Sequence, residues 1–577
     1  MTCDSVALVG AEYEENLSLR YLAASLRTSG FAPTIVPFDD VRALEAVVDA
    51  VVTLAPMVVG ISIPFQVRAR EFLELAAKLR ERGYRGHICL GGHFATFEYE
   101  RLLTENPSID SVVRHEGEDT LRELCEYVSR GDAVPPLDGL VVRGPDGVGV
   151  RVGAKRRLSK LDALPFPERR AEPFRVLGVA STPIVGSRGC YADCSFCCIF
   201  SYAENAHGPR YRMRTPESIV AEMKREYEDR GIRIFVFHDD NFFLPYAPKN
   251  LERYRKLARL IDEAGLEDVG LVLKCRPNDV NEELFRVLQG IGLLRVYIGI
   301  ETNSGEGIVS LNRHITSEDN RRALELFRAM GVYASFNVLI FDPEATLEGI
   351  ETNLAFMEEF VDFPFNFCRT EVYAGTPLLD ILKRDGRLEG DYLGYRYEMR
   401  DPRVELLFRI VATAFARRNF GLAGAHNLNM GLRLDHEIVR RFHPGAWDEA
   451  QQRALLALST DVGLDSVTRV REALAFVRGV DPYDAPAVHT FTARYARDVA
   501  RADHHFLARI KDARRAIEAR VMAFRDWEDR TAEDLSTPSN ARPWAAETHR
   551  LATSAGTELS TELLPAPTLR PAGGPWA

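Results

Sequence analysis

The chain has 577 residues, of which 46% are hydrophobic, so it is long enough to bury several cores and we expect more than one domain. Its formal net charge of −11 argues against a general nucleic-acid binder. No apolar run reaches membrane-spanning length and the first residues do not resemble a signal peptide, so neither a membrane span nor secretion is expected.

The first predicted domain, residues 1–138, alternates short apolar strands with helical segments. Strands are predicted at 6–10, 34–36, 57–63, 87–90 and 111–113, and helices at 16–29 and 68–82. This alternation predicts a doubly wound, Rossmann-like α/β sheet whose ligand lies at the carboxyl ends of the strands. Glycines after the fourth and fifth strands, Gly91, Gly92 and Gly117, allow the backbone to approach a ligand closely.

Residues 139–180 are predicted to form a linker, with a hairpin arm near residues 139–147 and a proline-stiffened crossing near Pro165 and Pro167. Between residues 181 and 385, six strand-like runs alternate with helical stretches, at 184–187, 234–238, 270–275, 295–301, 334–341 and 367–373. This pattern predicts a partial (β/α)6 barrel, whose active site should lie at the carboxyl ends of its strands.

Cys190, Cys194 and Cys197 lie in one short loop with the spacing Cys-x3-Cys-x2-Cys. Thiolates suit zinc or iron–sulfur clusters, but no second cysteine pair follows to complete a structural zinc site. Three cysteines can instead hold three irons of a 4Fe–4S cube and leave the fourth iron open. A zinc or disulfide loop is the alternative. Cys198 must point elsewhere, and the five scattered cysteines are typical of reduced thiols in the cytoplasm.

This loop, with Phe196 before its last cysteine, resembles the cluster loop of the radical S-adenosylmethionine (SAM) superfamily. The glycine-containing loops after the fourth and fifth strands resemble those of the cobalamin-binding domain attached to many radical SAM enzymes. Over about residues 1–385 the chain is similar to the cobalamin-dependent family, of the class B methyltransferase type. The resemblance implies cluster ligation by the three loop cysteines. It also implies cobalamin contacts from Ser62, Gly91, Gly92, Thr96, Glu116, Gly117 and Glu118.

Many cobalamin domains offer cobalt a histidine from an Asp-x-His-x-x-Gly motif, and this sequence has no such motif. We therefore expect cobalamin to bind without a protein histidine on cobalt. Its lower face would meet the loop at residues 62–66 or the residues just beyond. His93 and His115 are expected to contact the cobalamin tail or phosphate rather than the metal.

After the second barrel strand come Asp239 and Asp240, where the family often carries Gly-Gly-Glu beside the methionyl amine of SAM. A carboxylate is the right partner for an ammonium group, so one of these two aspartates is the candidate. Arg276 and Glu301 follow the third and fourth strands, at positions that the resemblance places near the ribose and carboxylate of SAM. Each residue taken singly could instead serve strand-end packing, and no catalytic residue is assigned.

Residues 386–531 are predicted to be helical, with helices at 402–420, 447–458 and 465–477 and a long amphipathic stretch from 489 to about 530. This region is either a cap that contacts substrate or a scaffolding or dimerisation bundle. Residues 532–577 are rich in Ser, Thr, Pro, Ala and Gly and are expected to be a disordered tail.

The resemblance implies three cofactors: a 4Fe–4S cluster, SAM and cobalamin. An external electron donor of flavodoxin or ferredoxin type would reduce the cluster, which cleaves SAM to a 5′-deoxyadenosyl radical. The leading hypothesis is C-methylation of an unactivated carbon in a specialised-metabolite or peptide substrate. The alternatives are a cyclase or rearrangement enzyme without methyl transfer, and a non-catalytic cobalamin or cluster sensor. The ordered series of SAM-site positions argues against the sensor.

Overall fold

The computed structural model describes residues 4–145, 147, 149–244 and 247–535, of which residues 247 and 526–535 are described by their backbone alone. Cys3, residue 146 of the predicted hairpin arm and the predicted tail beyond residue 535 lie outside the described residues. The described residues fall into two compact units. One is drawn from Met1–Ala345 and Phe367–Arg400, and the other from Thr346–Asn366 and Asp401–Ala577.

The first unit begins with a seven-stranded sheet in the order β2-β1-β3-β4-β5-β6-β7. Strands β1 to β5 pair in parallel, and β6 and β7 continue the sheet in antiparallel pairing. Its elements are β1 (Ser5–Gly10), α1 (Leu17–Thr28), β2 (Ala32–Pro37), α2 (Leu44–Leu54), β3 (Val58–Ser62), α3 (Ala69–Glu81), β4 (His87–Gly91), α4 (His93–Phe97), α5 (Tyr99–Glu105), β5 (Ser111–Val113), α6 (Glu118–Ser129), β6 (Leu140–Arg143) and β7 (Val150–Val152).

Helices cover both faces of this sheet, as the doubly wound prediction required. Alternate residues of β1 point to opposite faces: Ala7 and Val9 belong to one buried cluster, and Val6 and Leu8 to the other. The hairpin predicted as part of a linker differs from the prediction, because β6 pairs with β5. Leu140, Val141 and Val142 are buried, so the hairpin belongs to this sheet.

A second seven-stranded sheet has the order β16-β15-β14-β13-β12-β9-β8, and it contains the predicted six-stranded partial barrel. Strand β8 adds an antiparallel edge to it. The elements are β8 (Phe174–Val176), β9 (Val179–Ile184), β10 (Ser187–Gly189), α7 (Cys198–Asn205), β11 (Tyr211–Met213), α8 (Pro216–Arg230), β12 (Ile232–Phe237), α9 (Ala247–Glu263), β13 (Gly270–Cys275), α10 (Glu282–Gly290), β14 (Leu293–Glu301), α11 (Gly305–Ser310), α12 (Ser317–Met330), β15 (Ala334–Phe341), α13 (Leu347–Glu359), β16 (Phe365–Arg369), α14 (Pro377–Arg384), β17 (Leu388–Glu389) and β18 (Arg396–Tyr397).

The first and last barrel strands lie earlier than the sequence predicts. The first is β9, which ends at Ile184, because the Gly186 amide donates to Asp239 at 2.9 Å and the chain enters a separate β10–β11 hairpin. The last is β16, which ends at Arg369 instead of residue 373. The third and fifth strands have the predicted bounds.

The second unit is helical and consists of α13, α15 (Pro402–Phe420), α16 (Ala425–Phe442), α17 (Glu449–Gly479) and α18 (Ala485–Leu535). The two helices predicted at 447–458 and 465–477 are one helix, α17. Gly463 is tolerated inside it because a Cβ there would lie 2.6 Å from Val361, so the packing requires glycine. Helix α18 runs four residues into the predicted tail. Within the described residues, no helix is both long and apolar enough to cross a membrane.

Candidate functional site

The cysteine loop joins strand β10 to helix α7, and strand β11, which pairs with β10, follows that helix. Strand β10 ends at Gly189, whose φ of +88° suits glycine and where a Cβ would collide with the carbonyl oxygen of Arg210. Cys190, Cys194 and Cys197 follow within eight residues, and α7 begins at Cys198. The hairpin therefore fixes where the loop starts, and the helix fixes where it ends.

Cys194 is buried and accepts hydrogen bonds from two guanidinium groups. Nη1 of Arg276 and Nη1 of Arg313 each lie 3.2 Å from its Sγ atom. A guanidinium group is permanently charged and has no acceptor, so both arginines donate to this sulfur and place two positive charges beside it. The thiolate is the form that binds metal. The surroundings of Cys194 thus fit a ligand of an iron–sulfur cluster.

Cys190 and Cys197 are partly exposed, as is Cys198. Burial raises the pKa of Cys190 to about 11 and that of Cys197 well above its usual range, and the nearby Asp240 carboxylate raises both further. The positive charge of bound iron would stabilise the thiolates and so overcome this increase in pKa. Among the described residues, no three His, Cys, Asp or Glu side chains converge as the ligands of a single metal ion would. A cube offers each cysteine a different iron, so its three ligands need not converge on one point.

The two candidate aspartates after β12 differ in their surroundings. Asp239 is fully buried and accepts hydrogen bonds from the Gly186 amide, at 2.9 Å, and from the Ser187 hydroxyl. Burial raises its pKa to about 7, although these two hydrogen bonds lower it. Asp240 is solvent-accessible but closely surrounded, and desolvation raises its pKa too. Because it accepts only the Gly189 amide at 3.1 Å among the hydrogen bonds described, Asp240 retains capacity for a ligand ammonium group.

Glu301 ends β14 with a φ of +63°, an unusual backbone conformation for a residue with a side chain. Its side chain is partly exposed. Burial raises the pKa of its carboxyl, while Arg313, Asn337 and Arg276 lower it. Glu301 thus shares its two arginine neighbours with Cys194. The structure brings Glu301 and Asp240 to the carboxyl ends of strands in the same sheet, as the sequence predicts.

Ser62 and Gly91 are the last residues of β3 and β4, Gly92 follows β4, and Thr96 lies in the adjoining helix α4. A Cβ on Gly91 would lie 3.8 Å from the Val113 carbonyl oxygen, an ordinary van der Waals contact, so a side chain there would not clash with this oxygen. Gly92 has a φ of +101°, and a Cβ there would lie 2.6 Å from the Ile63 carbonyl oxygen. Thr96 accepts from the His115 amide at 2.8 Å and donates to the Gly92 carbonyl at 2.9 Å, so its hydroxyl joins the two loops.

Glu116 and Glu118 pair with arginines of the β10–β11 hairpin. Glu118 accepts from Arg188 at 2.7 Å, and Glu116 forms ion pairs with Arg188, at 3.4 Å, and with Arg212. Their side chains therefore tie the first sheet to the hairpin that carries the cysteine loop. Gly117 packs tightly, because a Cβ there would lie 3.2 Å from a Leu22 methyl carbon.

Two further contacts join the loops of the first sheet to the barrel. The Tyr202 ring of α7 lies 4.2 Å from the His93 ring and 5.0 Å from the His115 ring, measured between centroids. Burial lowers the pKa of both histidines to about 4, so they are neutral at physiological pH. Gln66 donates to the Val372 carbonyl at 2.7 Å and accepts from the Ala374 amide at 3.3 Å. The carboxyl-end loops of both sheets thus share one region.

Two family models match the chain in this order. Residues 5–125 match the B12-binding domain, and residues 184–357 match the radical SAM superfamily. The chain belongs to the cobalamin-dependent radical SAM family. Its cofactors are accordingly cobalamin, SAM and a 4Fe–4S cluster, as the resemblance predicted.

Three relatives show the range of activities found among similar chains. An uncharacterized methyltransferase of Pyrococcus horikoshii is 27% identical over 369 residues, which cover 63% of this chain and 77% of that protein. The hopanoid C-3 methylase of Methylococcus capsulatus is 29% identical, over 58% of this chain and 63% of its own length. The anaerobic magnesium-protoporphyrin IX monomethyl ester cyclase of Rubrivivax gelatinosus is 25% identical, over 57% and 60%. The match to the last two spans less than two thirds of their length.

Solved structures show the same fold. The cobalamin-dependent SAM radical enzyme OxsB, with aqua-cobalamin bound, aligns with a TM-score of 0.63 and 17% identity, over 93% of this chain and 82% of its own. The radical SAM methyltransferase TsrM of Kitasatospora setae, with cobalamin and a 4Fe–4S cluster bound, aligns with a TM-score of 0.55 and 20% identity, over 67% and 75%. The cobalamin-dependent radical SAM fold therefore holds for this family member.

Sequence reasoning missed Arg188, Arg212, Arg313 and Tyr202. Arg188 and Arg212 flank the cysteine loop and have the opposite charge to Glu116 and Glu118, a signal from which their pairing could have been predicted. Arg313 lies outside the cysteine loop and the strand ends, and the turn between α11 and α12 brings it to Cys194. Tyr202 was indistinguishable from the other aromatic residues near the loop.

For this radical SAM protein we expect cobalamin to bind with no histidine on cobalt. The rings of His93 and His115 both pack against Tyr202, and the His115 amide is fixed by Thr96. In the cob(II)alamin form, electron paramagnetic resonance should show no nitrogen superhyperfine splitting from an axial base. A nitrogen splitting that disappears in His93→Ala or His115→Ala would show that one of these residues ligates cobalt.

Proposed function

We propose that this enzyme is a cobalamin-dependent radical SAM C-methyltransferase acting on an unactivated carbon of a specialised-metabolite or peptide substrate. The observation that supports it most is the joining of the two cofactor domains at their carboxyl-end loops, through Gln66, Tyr202 and the ion pairs of Arg188. Methyl delivery from cobalamin requires such proximity. Two of the relatives, an uncharacterized methyltransferase and a hopanoid C-3 methylase, favour methyl transfer over other radical reactions.

The residues have distinct roles in this proposal. Cys190, Cys194 and Cys197 hold the cluster. Asp240, after β12, accepts hydrogen bonds from the ammonium group of SAM, and Glu301, at the end of β14, also contacts SAM. When bound, the reduced cluster would supply the electron that cleaves SAM, and cobalamin would supply the methyl group. Ser62 and Gly91 border the cobalamin site, and Gly92, Thr96 and Gly117 shape the loops that surround it. Glu116 and Glu118 hold those loops against the barrel by their ion pairs.

The enzyme requires an electron donor and a substrate. An external donor of flavodoxin or ferredoxin type supplies electrons, and the substrate is a small molecule or a peptide. We expect the enzyme in the cytoplasm, where thiols stay reduced.

Turnover should give two SAM-derived coproducts in equal amounts. One SAM molecule donates its methyl group and becomes S-adenosylhomocysteine, and the other is cleaved to 5′-deoxyadenosine and methionine. Anaerobic assays with candidate scaffolds and chromatographic quantification of both coproducts test this ratio. Product formation with 5′-deoxyadenosine but no stoichiometric S-adenosylhomocysteine would contradict methyl transfer. It would support the second candidate, a cyclase or rearrangement enzyme, which the Rubrivivax gelatinosus relative favours.

A further inference from the structure

The segment Ser310–His314, which we call the 310–314 clasp, contacts the middle of the cysteine loop. The Ser195 amide donates to the Leu311 carbonyl at 3.0 Å, and the Ser195 hydroxyl to the Ser310 carbonyl at 2.8 Å. The Asn312 amide group donates to the Asp193 carbonyl at 3.0 Å, and the His314 ring lies 2.9 Å from the Asp193 carboxylate. The clasp therefore contacts the residues on both sides of Cys194.

The same clasp directs Arg313 at the sulfur of Cys194, where Arg276 also points. Each guanidinium is held by a second hydrogen bond: Arg313 donates to the Gly299 carbonyl, and Arg276 donates to the Arg313 carbonyl. Arg313 is 3% exposed and Arg276 is 7% exposed, so water screens neither charge effectively. Cys190, by comparison, accepts from the backbone amide of Ala192 at 3.4 Å. The positive charge at the loop is therefore concentrated on one of its three thiols.

The backbone around Arg313 is unusual. Asn312 has a φ of +49° and His314 a φ of +50°, both in the left-handed region that residues with side chains rarely adopt. Such conformations persist where surrounding contacts hold them, and they often present a side chain in one required direction. A backbone hydrogen bond from the Arg313 amide to the Ile308 carbonyl at 3.1 Å holds this turn, and the contacts of Asn312 and His314 with Asp193 add to it. Two left-handed residues thus fix the arginine that lies between them.

We infer that Arg276 and Arg313 are positioning residues that act through Cys194 and set the reduction potential of the cluster. The inference rests on the proposed ligation of the cluster by Cys194. Reduction adds one electron, taken from the external one-electron protein donor, and part of the added negative charge falls on the cysteine sulfurs. No bond to Cys194 is made or broken. Hydrogen bonds and positive charge at a ligand sulfur stabilise the reduced state, so the two arginines raise the potential.

The test is a potentiometric titration of the reconstituted holoprotein, followed by electron paramagnetic resonance, with iron content measured in parallel. Arg276→Gln and Arg313→Gln should each keep the cluster but lower its potential. We expect the ratio of reduced to oxidised cluster at a fixed potential to fall about tenfold, which corresponds to about 59 mV for one electron. Arg313→Lys retains the charge and should stay closer to wild type. His314→Ala is the matched control, because it disturbs the clasp without removing charge from Cys194.

Unchanged potentials in both glutamine variants, with the cluster retained, would overturn the inference. So would a fall in His314→Ala as large as in Arg313→Gln, since that would reflect disruption of the clasp rather than loss of charge. If the glutamine variants lose iron, Arg313→Lys provides the test instead. A wild-type reduction potential in that variant would support the role of charge. A tenfold change in the ratio of reduced to oxidised cluster would refute it. Retention of the cluster in Cys194→Ala would instead refute the ligand assignment itself.

Discussion

Cys190→Ala, Cys194→Ala and Cys197→Ala should each lose the 4Fe–4S cluster, whereas Cys198→Ala should keep it. Reconstituted wild-type protein should hold about four irons per chain. Each of the three cysteines supplies one thiolate to the cube, and no other cysteine belongs to the Cys-x3-Cys-x2-Cys loop. Cys198 begins helix α7, and its side chain is the natural control because it is adjacent to Cys197 and shares its partial exposure.

Iron analysis and the visible absorption of anaerobically reconstituted protein measure the effect. The comparison is sharp because the four variants make the same chemical change within nine residues of sequence. Loss of the cluster in Cys198→Ala together with its retention in Cys194→Ala would show that the ligands are assigned wrongly. The family membership would be unaffected by that outcome.

The second large effect separates Asp240 from Asp239. Asp240→Ala should weaken SAM binding by about 10- to 100-fold, because a hydrogen bond to a charged group contributes about 1.5–3 kcal/mol. Its effect on folding should be small, since it accepts the exposed Gly189 amide at 3.1 Å. Binding of SAM by the reconstituted protein, together with the denaturation midpoint, measures both consequences.

Asp239→Ala should act on stability instead. It leaves the buried Gly186 amide without its acceptor, which costs about 1–3 kcal/mol. The pKa of Asp239 rises from 3.8 to about 7 in the folded protein, so its contribution to stability is fully present below about pH 4 and is lost as the pH rises to 7. The destabilisation by Asp239→Ala should therefore shrink between about pH 4 and 7 and change little above pH 7, as denaturation would show. Weak SAM binding by a fully stable Asp239→Ala protein, with normal binding by Asp240→Ala, would reverse the assignment.

The sequence predicts the fold well because both sheets are built from buried strands whose periodicity is local. The runs at 270–275 and 334–341 coincide with β13 and β15 for that reason. Errors arise where a distant contact decides the structure. Strand β9 ends at Ile184 rather than at residue 187 because Asp239 accepts a hydrogen bond from the Gly186 amide. Gly463 lies inside α17 rather than between two helices, and Val361 leaves no room for a side chain there.

In the candidate site, too, local patterns can be predicted from the sequence and contacts between distant residues cannot. The cysteine spacing and the glycine loops are local patterns and can be recognised in the sequence. The choice between Asp239 and Asp240 depends on burial by Ser187 and Gly186, which no local pattern encodes. The pairing of Arg276 and Arg313 on Cys194 joins three separate parts of the chain, so it becomes visible only in the folded protein.

Transfer of a labelled methyl group tests the central claim most directly and needs no knowledge of the substrate. The cobalamin-loaded, reconstituted protein is incubated anaerobically with a strong one-electron reductant and SAM that carries a deuterated methyl group. Cobalamin is then recovered for mass spectrometry. We predict cobalamin that carries the deuterated methyl group, together with an equal amount of S-adenosylhomocysteine. Unlabelled cobalamin, recovered from protein that converts the same SAM to 5′-deoxyadenosine, would contradict the methyltransferase proposal.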